Sequence, residues 1–208
     1  MARYTGPKCR LCRREGTKLF LKGTRCETAR CSVAKREYPP GMLSTRRKKQ
    51  SEYGARLREK QKLKRYYGIL ERQFSRLFGM AERMKGNTGE NLLIILERRL
   101  DSIVQRLGFA SSKAQARQFI THGLITVNAK KVDIPSYLCK VGDVISIKKK
   151  DIAEKLFEFI REQTRSNKLP SWLEVAEKPL AGRVRALPTR EEVPIEINEQ
   201  YVVEFCSR

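Results

Sequence analysis

Histidine is nearly missing from this chain: His122 stands alone among 208 residues. With one imidazole, no evident paired carboxylates and no large α/β region, the sequence offers little from which a catalytic domain could be built. Neither GxxxxGK[ST] nor GxGxxG occurs, so no nucleotide-hydrolysing loop is expected. Long apolar runs are missing too. The longest aliphatic stretch, Leu92 to Leu96, falls far short of the roughly 20 residues that cross a bilayer, and no membrane partner is expected. The start, Met1-Ala2-Arg3-Tyr4, lacks the apolar stretch of a secretory signal, which points to a reducing cytosol or an equivalent organelle compartment, with thiols reduced or metal-bound.

Acidic residues are scarce as well. Against 45 Lys and Arg the chain carries 23 Asp and Glu, a formal net charge of +22. A surplus of this size repels itself in the compact state and is best accommodated beside phosphates, where each contact also releases condensed counterions. The surplus is uneven: residues 1–90 balance at +17, residues 91–150 at +7 and residues 151–208 at −2. The first two stretches read as the nucleic-acid side, and the last as core or as contact with another basic protein.

Four of the six cysteines lie in the first 31 residues, as Cys9-x2-Cys12 and Cys26-x4-Cys31. Two close pairs joined by a short loop suit tetrahedral thiolate coordination, since each tight turn supplies two sulfurs. Zinc is the expected ion, in a closed structural site, and an iron–sulfur cluster is the alternative. Lys8, Arg10, Arg13, Arg14, Arg25 and Arg30 crowd these cysteines and are expected to lower the thiol pKa. Packed thiols or disulfides fit less well, the first because the surroundings are so charged, the second because of the compartment. Cys139 and Cys206 read as packing thiols.

Tyr38-Pro39-Pro40-Gly41 breaks regular structure, and Arg46, Arg47, Lys48 and Lys49 follow as four consecutive cations suited to phosphate. From Glu52 to Arg83 the pattern is helical. Tyr66, Ile69, Leu70, Phe74, Leu77 and Phe78 recur as a core face, while Arg56, Arg58, Lys60, Lys62, Lys64, Arg65, Arg72 and Arg76 occupy the remaining faces toward RNA backbone. Leu93 through Leu107 predicts one amphipathic helix stopped by Gly108. A second opens with a Ser112/Gln115 capping box, packs through Ala114, Ala116, Phe119 and Ile120, and stops at Gly123. Strands are expected at 124–127, 132–134 and 144–147, with a turn at Asn128-Ala129-Lys130-Lys131. Beyond it, Asp151 and Glu154 cap a helix carrying Leu156, Phe157, Phe159 and Ile160. Trp172 reads as core, and Val184, Ile195 with Ile197, and Tyr201 to Phe205 as strands.

Glu97-Arg98-Arg99-Leu100-Asp101, Arg106-Leu107-Gly108-Phe109-Ala110, Ala116-Arg117-Gln118, His122-Gly123, Val127-Asn128 and Val141-Gly142-Asp143 resemble the small RNA-binding module named after the fourth small-subunit ribosomal protein. Tyr67 to Phe74, Pro170-Ser171-Trp172-Leu173, Leu187 to Arg190 and Val203-Glu204-Phe205 resemble that family's other segments, so the likeness spans nearly the whole chain. It is similar to the bacterial-type form with a four-cysteine zinc site. The resemblance implies an α+β fold: a mainly helical lobe with an N-terminal zinc knot, plus a small inserted module of two helices and a short sheet. The expected parts are 1–45 as knot and basic linker, 46–90 with 151–208 as the helical lobe closed by C-terminal strands, and 91–150 as the module.

The resemblance further implies a structural, non-enzymatic protein that binds the five-prime domain of small-subunit ribosomal RNA, nucleates assembly and serves translation as one copy in the cytoplasmic ribosome. Residues 46–49 would lie where messenger RNA enters, with a role in decoding accuracy, and the fifth and third small-subunit proteins would be neighbours. By matching position, Arg99, Ser112, Lys113, Arg117, Gln118, His122, Asn128, Lys130 and Lys131 would face RNA. Two departures stand out: Leu124 replaces a common histidine, and Ala129 the usual turn glycine. The competing readings are an RNA-modifying enzyme bearing the same module, which needs a catalytic domain, and a zinc-dependent DNA-binding regulator, which needs a groove-reading helix.

Overall fold

Pro7 precedes and a left-handed Gly16 (φ 69°) follows the first helix, α1 (Lys8–Glu15). A tight turn at Gly23–Cys26 and the short α2 (Ser32–Lys35) complete the cysteine-bearing segment. The computed structural model describes residues 3–42, 51–148, 157, 159–160, 162, 169–176 and 181–207. Its chain divides into one unit of Met1–Leu92 with Ile195–Arg208 and another of Leu93–Pro194.

In the first unit Ser51 starts α3 (Glu52–Tyr66), its hydroxyl accepting from the Gly54 N–H at 3.1 Å. The helical pattern read from Glu52 to Arg83 is borne out as two helices: Gly68 turns left-handed (φ 61°), and α4 (Glu71–Glu82) follows. Tyr66, Ile69, Phe74, Leu77 and Phe78 are buried as expected and Leu63 and Tyr67 join them, while Leu70, at the N-cap of α4, is exposed. α5 (Thr88–Glu97) and α6 (Leu100–Arg106) come next, then α7 (Lys113–Thr121).

The C-terminal strand expected at Tyr201 to Phe205 is instead a helix, α8 (Glu199–Cys206), whose N-cap Asn198 accepts from the Tyr201 N–H at 3.2 Å. A five-residue stretch that is apolar but for Glu204 fits either period, and packing against α3 decides it, with Asn198 capping the start. α8 packs on α3, where Arg56 bonds Glu204 at 2.6 Å and the Tyr53 and Phe205 rings lie 5.4 Å apart. Ile195 and Ile197 are buried but form no strand.

The second unit has a five-stranded antiparallel sheet: β1 (Ile125–Val127), β2 (Lys130–Lys131), β3 (Val144–Ile147), β4 (Leu173–Ala176) and β5 (Ala181–Val184), in the order β2-β1-β3-β5-β4. The pairing of β5 with β3 (Ile145 opposite Gly182) carries the segment up to Pro194 into this unit. This corrects the expected split at 150. An exposed edge on β3 would have left its N–H and C=O groups unpaired, and β5 fills it.

The single helix expected from Leu93 to Leu107 is broken at Arg99, whose extended backbone bridges Leu138 while the Leu100 N–H bonds the Tyr137 carbonyl at 2.8 Å. The capping box is half as expected. Ser112 accepts from the Gln115 N–H at 3.4 Å, but Gln115 Oε1 returns to the Ser111 N–H (2.8 Å) and hydroxyl (2.7 Å). The hairpin is tighter than expected. Asn128 (φ 50°) and Ala129 (φ 64°) alone make the turn, so Lys130 and Lys131 are strand and 132–134 is not. Positive φ at both central residues is the primed-turn geometry that matches strand twist.

The core of this unit joins α6 (Leu100, Ile103, Val104, Leu107), α7 (Ala116, Phe119, Ile120) and the sheet with Phe157, Ile160 and Trp172. Phe157 meets Phe119 edge-on at 4.9 Å. Ala114 is exposed, against expectation, and so is Phe159 on its helix. Asp151, Glu154, Leu156 and the linker cations Arg46, Arg47, Lys48 and Lys49 lie outside the described residues.

Candidate nucleic-acid interface

The cysteine segment brings all four of its thiols to one cleft, whose lining also includes Lys8, Lys22, Arg25, Arg30 and Ser32. Cys12, Cys26 and Cys31 are buried and Cys9 is half-buried. Ser32 Oγ is buried with no hydrogen-bond partner, and such an orphan polar atom signals a missing neighbour. Yet the side chains do not converge: among the described residues no three His, Cys, Asp or Glu form a group able to hold a metal ion as placed. Burial pushes the Cys12 and Cys26 thiols above their ordinary value, and neighbouring thiols push the same way. For these two the lowering expected from the surrounding cations does not occur, because desolvation outweighs it. The donor set suits zinc: four soft sulfurs in one cleft, with cations around them to offset four thiolates on a divalent ion.

On α3 the expected RNA-facing cations are engaged with carboxylates. Arg56 bonds Glu204 and Glu52 (3.1 Å), and these bonds raise its pKa further. Lys62 stands 3.6 Å from Glu59. Arg58 and Arg65 both point at Glu15. Lys60 and Lys64 share Glu71, the first in close contact and the second at 2.7 Å. Arg72 and Arg76 on α4 are exposed.

In the second unit the expected site divides sharply. Arg99 is wholly buried and grips Asp101 with two bonds, at 3.0 and 2.8 Å, while Arg117 reaches the same carboxylate at 2.7 Å. Both arginines are corrected to interior residues, with the carboxylate compensating charges that could not otherwise be buried. Ser112, 8% exposed, is occupied as a helix cap. Asn128 donates to Asp143 at 2.9 Å and accepts from the Val144 N–H at 3.0 Å, so its amide fastens the hairpin.

Lys113 is half-buried as a residue but its amine is enclosed, 3.1 Å from Gln105 Oε1. Burial pulls it down to about 7, and Arg106 and Arg117 pull the same way against Glu97 and Asp101. Glu97, 1% exposed as a side chain, is itself held by Arg106 at 3.0 and 2.6 Å. Gln118, His122, Lys130 and Lys131 face solvent, as does Asn128, whose amide is engaged in the hairpin.

Lys131 lies across Gly123, where a side chain would collide with its Cε. Lys148, absent from the expected set, is exposed beside the same segment, its N–H bonding the Leu124 carbonyl at 2.8 Å. Pairing register, invisible in a sequence, brings it there. Glu15, Glu97 and Asp101 were likewise missed, and the one signal they offered was a carboxylate within three residues of an arginine.

A family model described as the ribosomal protein S4/S9 N-terminal domain matches residues 3–97, and one described as the S4 domain matches residues 98–145. A protein of Thermoanaerobacter sp. (strain X514) named small ribosomal subunit protein uS4 is 57% identical over 208 residues, covering all of both chains. Its namesake from Caldicellulosiruptor saccharolyticus is 56% identical over the same length, and a uS4A protein of Alkaliphilus metalliredigens 53%. With two adjoining family models and end-to-end identity at this level, the chain belongs to the small ribosomal subunit protein uS4 family.

Proposed function

We propose that this chain is a structural protein of the small ribosomal subunit that binds its ribosomal RNA and carries out no catalysis. The observation that carries the reading is where the charge goes: Glu15, Glu97 and Asp101 are folded inside, no more than 2% exposed, while Gln118, His122, Lys130, Lys131 and Lys148 face outward. With these three carboxylates turned onto the protein's own arginines, the outward cations remain to attract phosphate. Within the subunit the chain binds the five-prime domain of the RNA early, helps nucleate assembly, and contributes to decoding accuracy through Arg46, Arg47, Lys48 and Lys49 where messenger RNA enters. The fifth and third small-subunit proteins are its neighbours.

Cys9, Cys12, Cys26 and Cys31 hold a structural zinc, with an iron–sulfur cluster as the alternative. The four-sulfur cleft and the orphan Ser32 hydroxyl support this. When bound, the ion supplies cross-linking, and the thiols supply all its ligands.

The decisive experiment is equilibrium binding to a five-prime-domain transcript across a salt series. Affinity should fall by roughly 0.7–0.9 log units per log unit of salt for each phosphate engaged. A slope near zero would remove the RNA reading. Elemental analysis of purified protein should find one zinc per chain, and less than half would remove the metal.

A further inference from the structure

Glu15 ends α1, the helix bearing Cys9 and Cys12. Its side chain is only 2% exposed in a chain with a net charge of +22. Acidic side chains stay in water unless something holds them in, and here two arginines do. Arg58 Nη1 stands 3.5 Å from Glu15 Oε1, and Arg65 Nη1 bonds the same oxygen. Burial pushes the carboxyl above its ordinary value, and Arg65, Arg58 and Arg14 offset only part of that rise. The two α3 arginines are seven residues apart, about two helical turns, and so share one face. Their side chains remain 29% and 21% exposed. A guanidinium has five N–H donors, so a bond to Glu15 leaves each with donors to offer outward.

We infer that Glu15 is a positioning residue for RNA binding, holding Arg58 and Arg65 as a fixed pair of guanidiniums that together engage backbone phosphate. The inference rests on the ribosomal RNA reading above. An arginine already fixed by a carboxylate has less rotamer freedom to lose when a phosphate docks, and its planar fork is already aimed. Bulk electrostatics predicts the opposite sign, because deleting an anion from a cationic protein should strengthen its hold on a polyanion. The sign of one substitution therefore separates the two.

The test uses full-length wild type, Glu15→Gln, the Arg58→Gln/Arg65→Gln pair and the triple variant, each titrated with a five-prime-domain transcript over a range of salt. Glu15→Gln should weaken binding roughly tenfold, on the scale of one charge-assisted contact, and make the salt slope shallower by about 1.4 to 1.8, the value of two phosphates. In the background lacking both arginines it should do nothing more. Unchanged or tighter binding by Glu15→Gln overturns the inference. So does an equal loss in both backgrounds, which is what general misfolding would give. Failure of the wild type itself to bind would instead sink the ribosomal RNA reading, and this inference with it.

Discussion

Replacing Asp101 by Asn tests the interior of the second unit directly. Three hydrogen bonds converge on that carboxylate: Arg99 Nε at 3.0 Å and Nη2 at 2.8 Å, and Arg117 Nε at 2.7 Å. Arg99 is fully buried, and its Nη1 already lacks a partner. The amide keeps the shape and one acceptor but removes the negative charge that both guanidiniums bond. Removing one partner of a buried pair costs about 3–5 kcal/mol, because the remaining charge is left uncompensated in low dielectric. For a unit of this size each kcal/mol moves the melting point by roughly 4–8 °C, so a drop on the order of 15 °C is expected. Differential scanning calorimetry at pH 7, with urea unfolding as a second probe, reads it. A loss under about 1 kcal/mol, the value of an ordinary hydrogen bond, would refute the view that this carboxylate compensates buried charge.

Lys113 gives a pH signature. Its folded pKa is lowered to about 7, so between pH 7 and about 10 the unfolded chain binds more protons and stability rises with pH. From pH 7 to 8.5 the gain is on the order of 1.5 kcal/mol, a window below the Cys139 thiol, which burial raises to about 12 and which works in the opposite direction. Lys113→Met should flatten that rise in urea titrations, and an unaltered slope would show that the amine is not the source. Ala129→Gly should stabilise the chain by roughly 0.5–1 kcal/mol, since alanine at φ 64° is strained where glycine is not, less the entropy glycine restores to the unfolded chain. A lower urea midpoint would contradict the turn geometry. Lys130→Gln with Lys131→Gln should reduce the salt slope of RNA binding by about 1.4–1.8 without moving the melting point, and an unchanged slope would place RNA elsewhere.

Elements with strong local signals were legible before any coordinates. The glycine stops at Gly108 and Gly123, the Ser112 cap and the buried Trp172 follow from short-range chemistry that a few residues specify on their own. What could not be read was decided at long range. The break at Arg99 depends on Leu138, the place of the strand ending at Val184 on an open β3 edge, and the helix at 199–206 on packing against α3. In each case local periodicity allowed two answers, and a partner distant in sequence chose between them.

The same distinction governs the site. Composition identifies the kind of partner, because net charge is a sum and needs no geometry. It cannot say which cations do the binding, because a carboxylate that compensates an arginine is equally acidic wherever it lies. Arg99 and Arg117 look like phosphate ligands by residue type, and Asp101 turns both inward. Lys131 and Lys148 come from separate parts of the chain, and the register of β1 with β2 and β3 places them on either side of one short strand. The basic surface is therefore defined as much by where the fold puts its few acids as by where it puts its many bases. Glu15 is the case where the two meet, an interior acid bonded to cations that still reach solvent. If that bond only neutralises, its removal tightens RNA binding; if it aims, its removal loosens it.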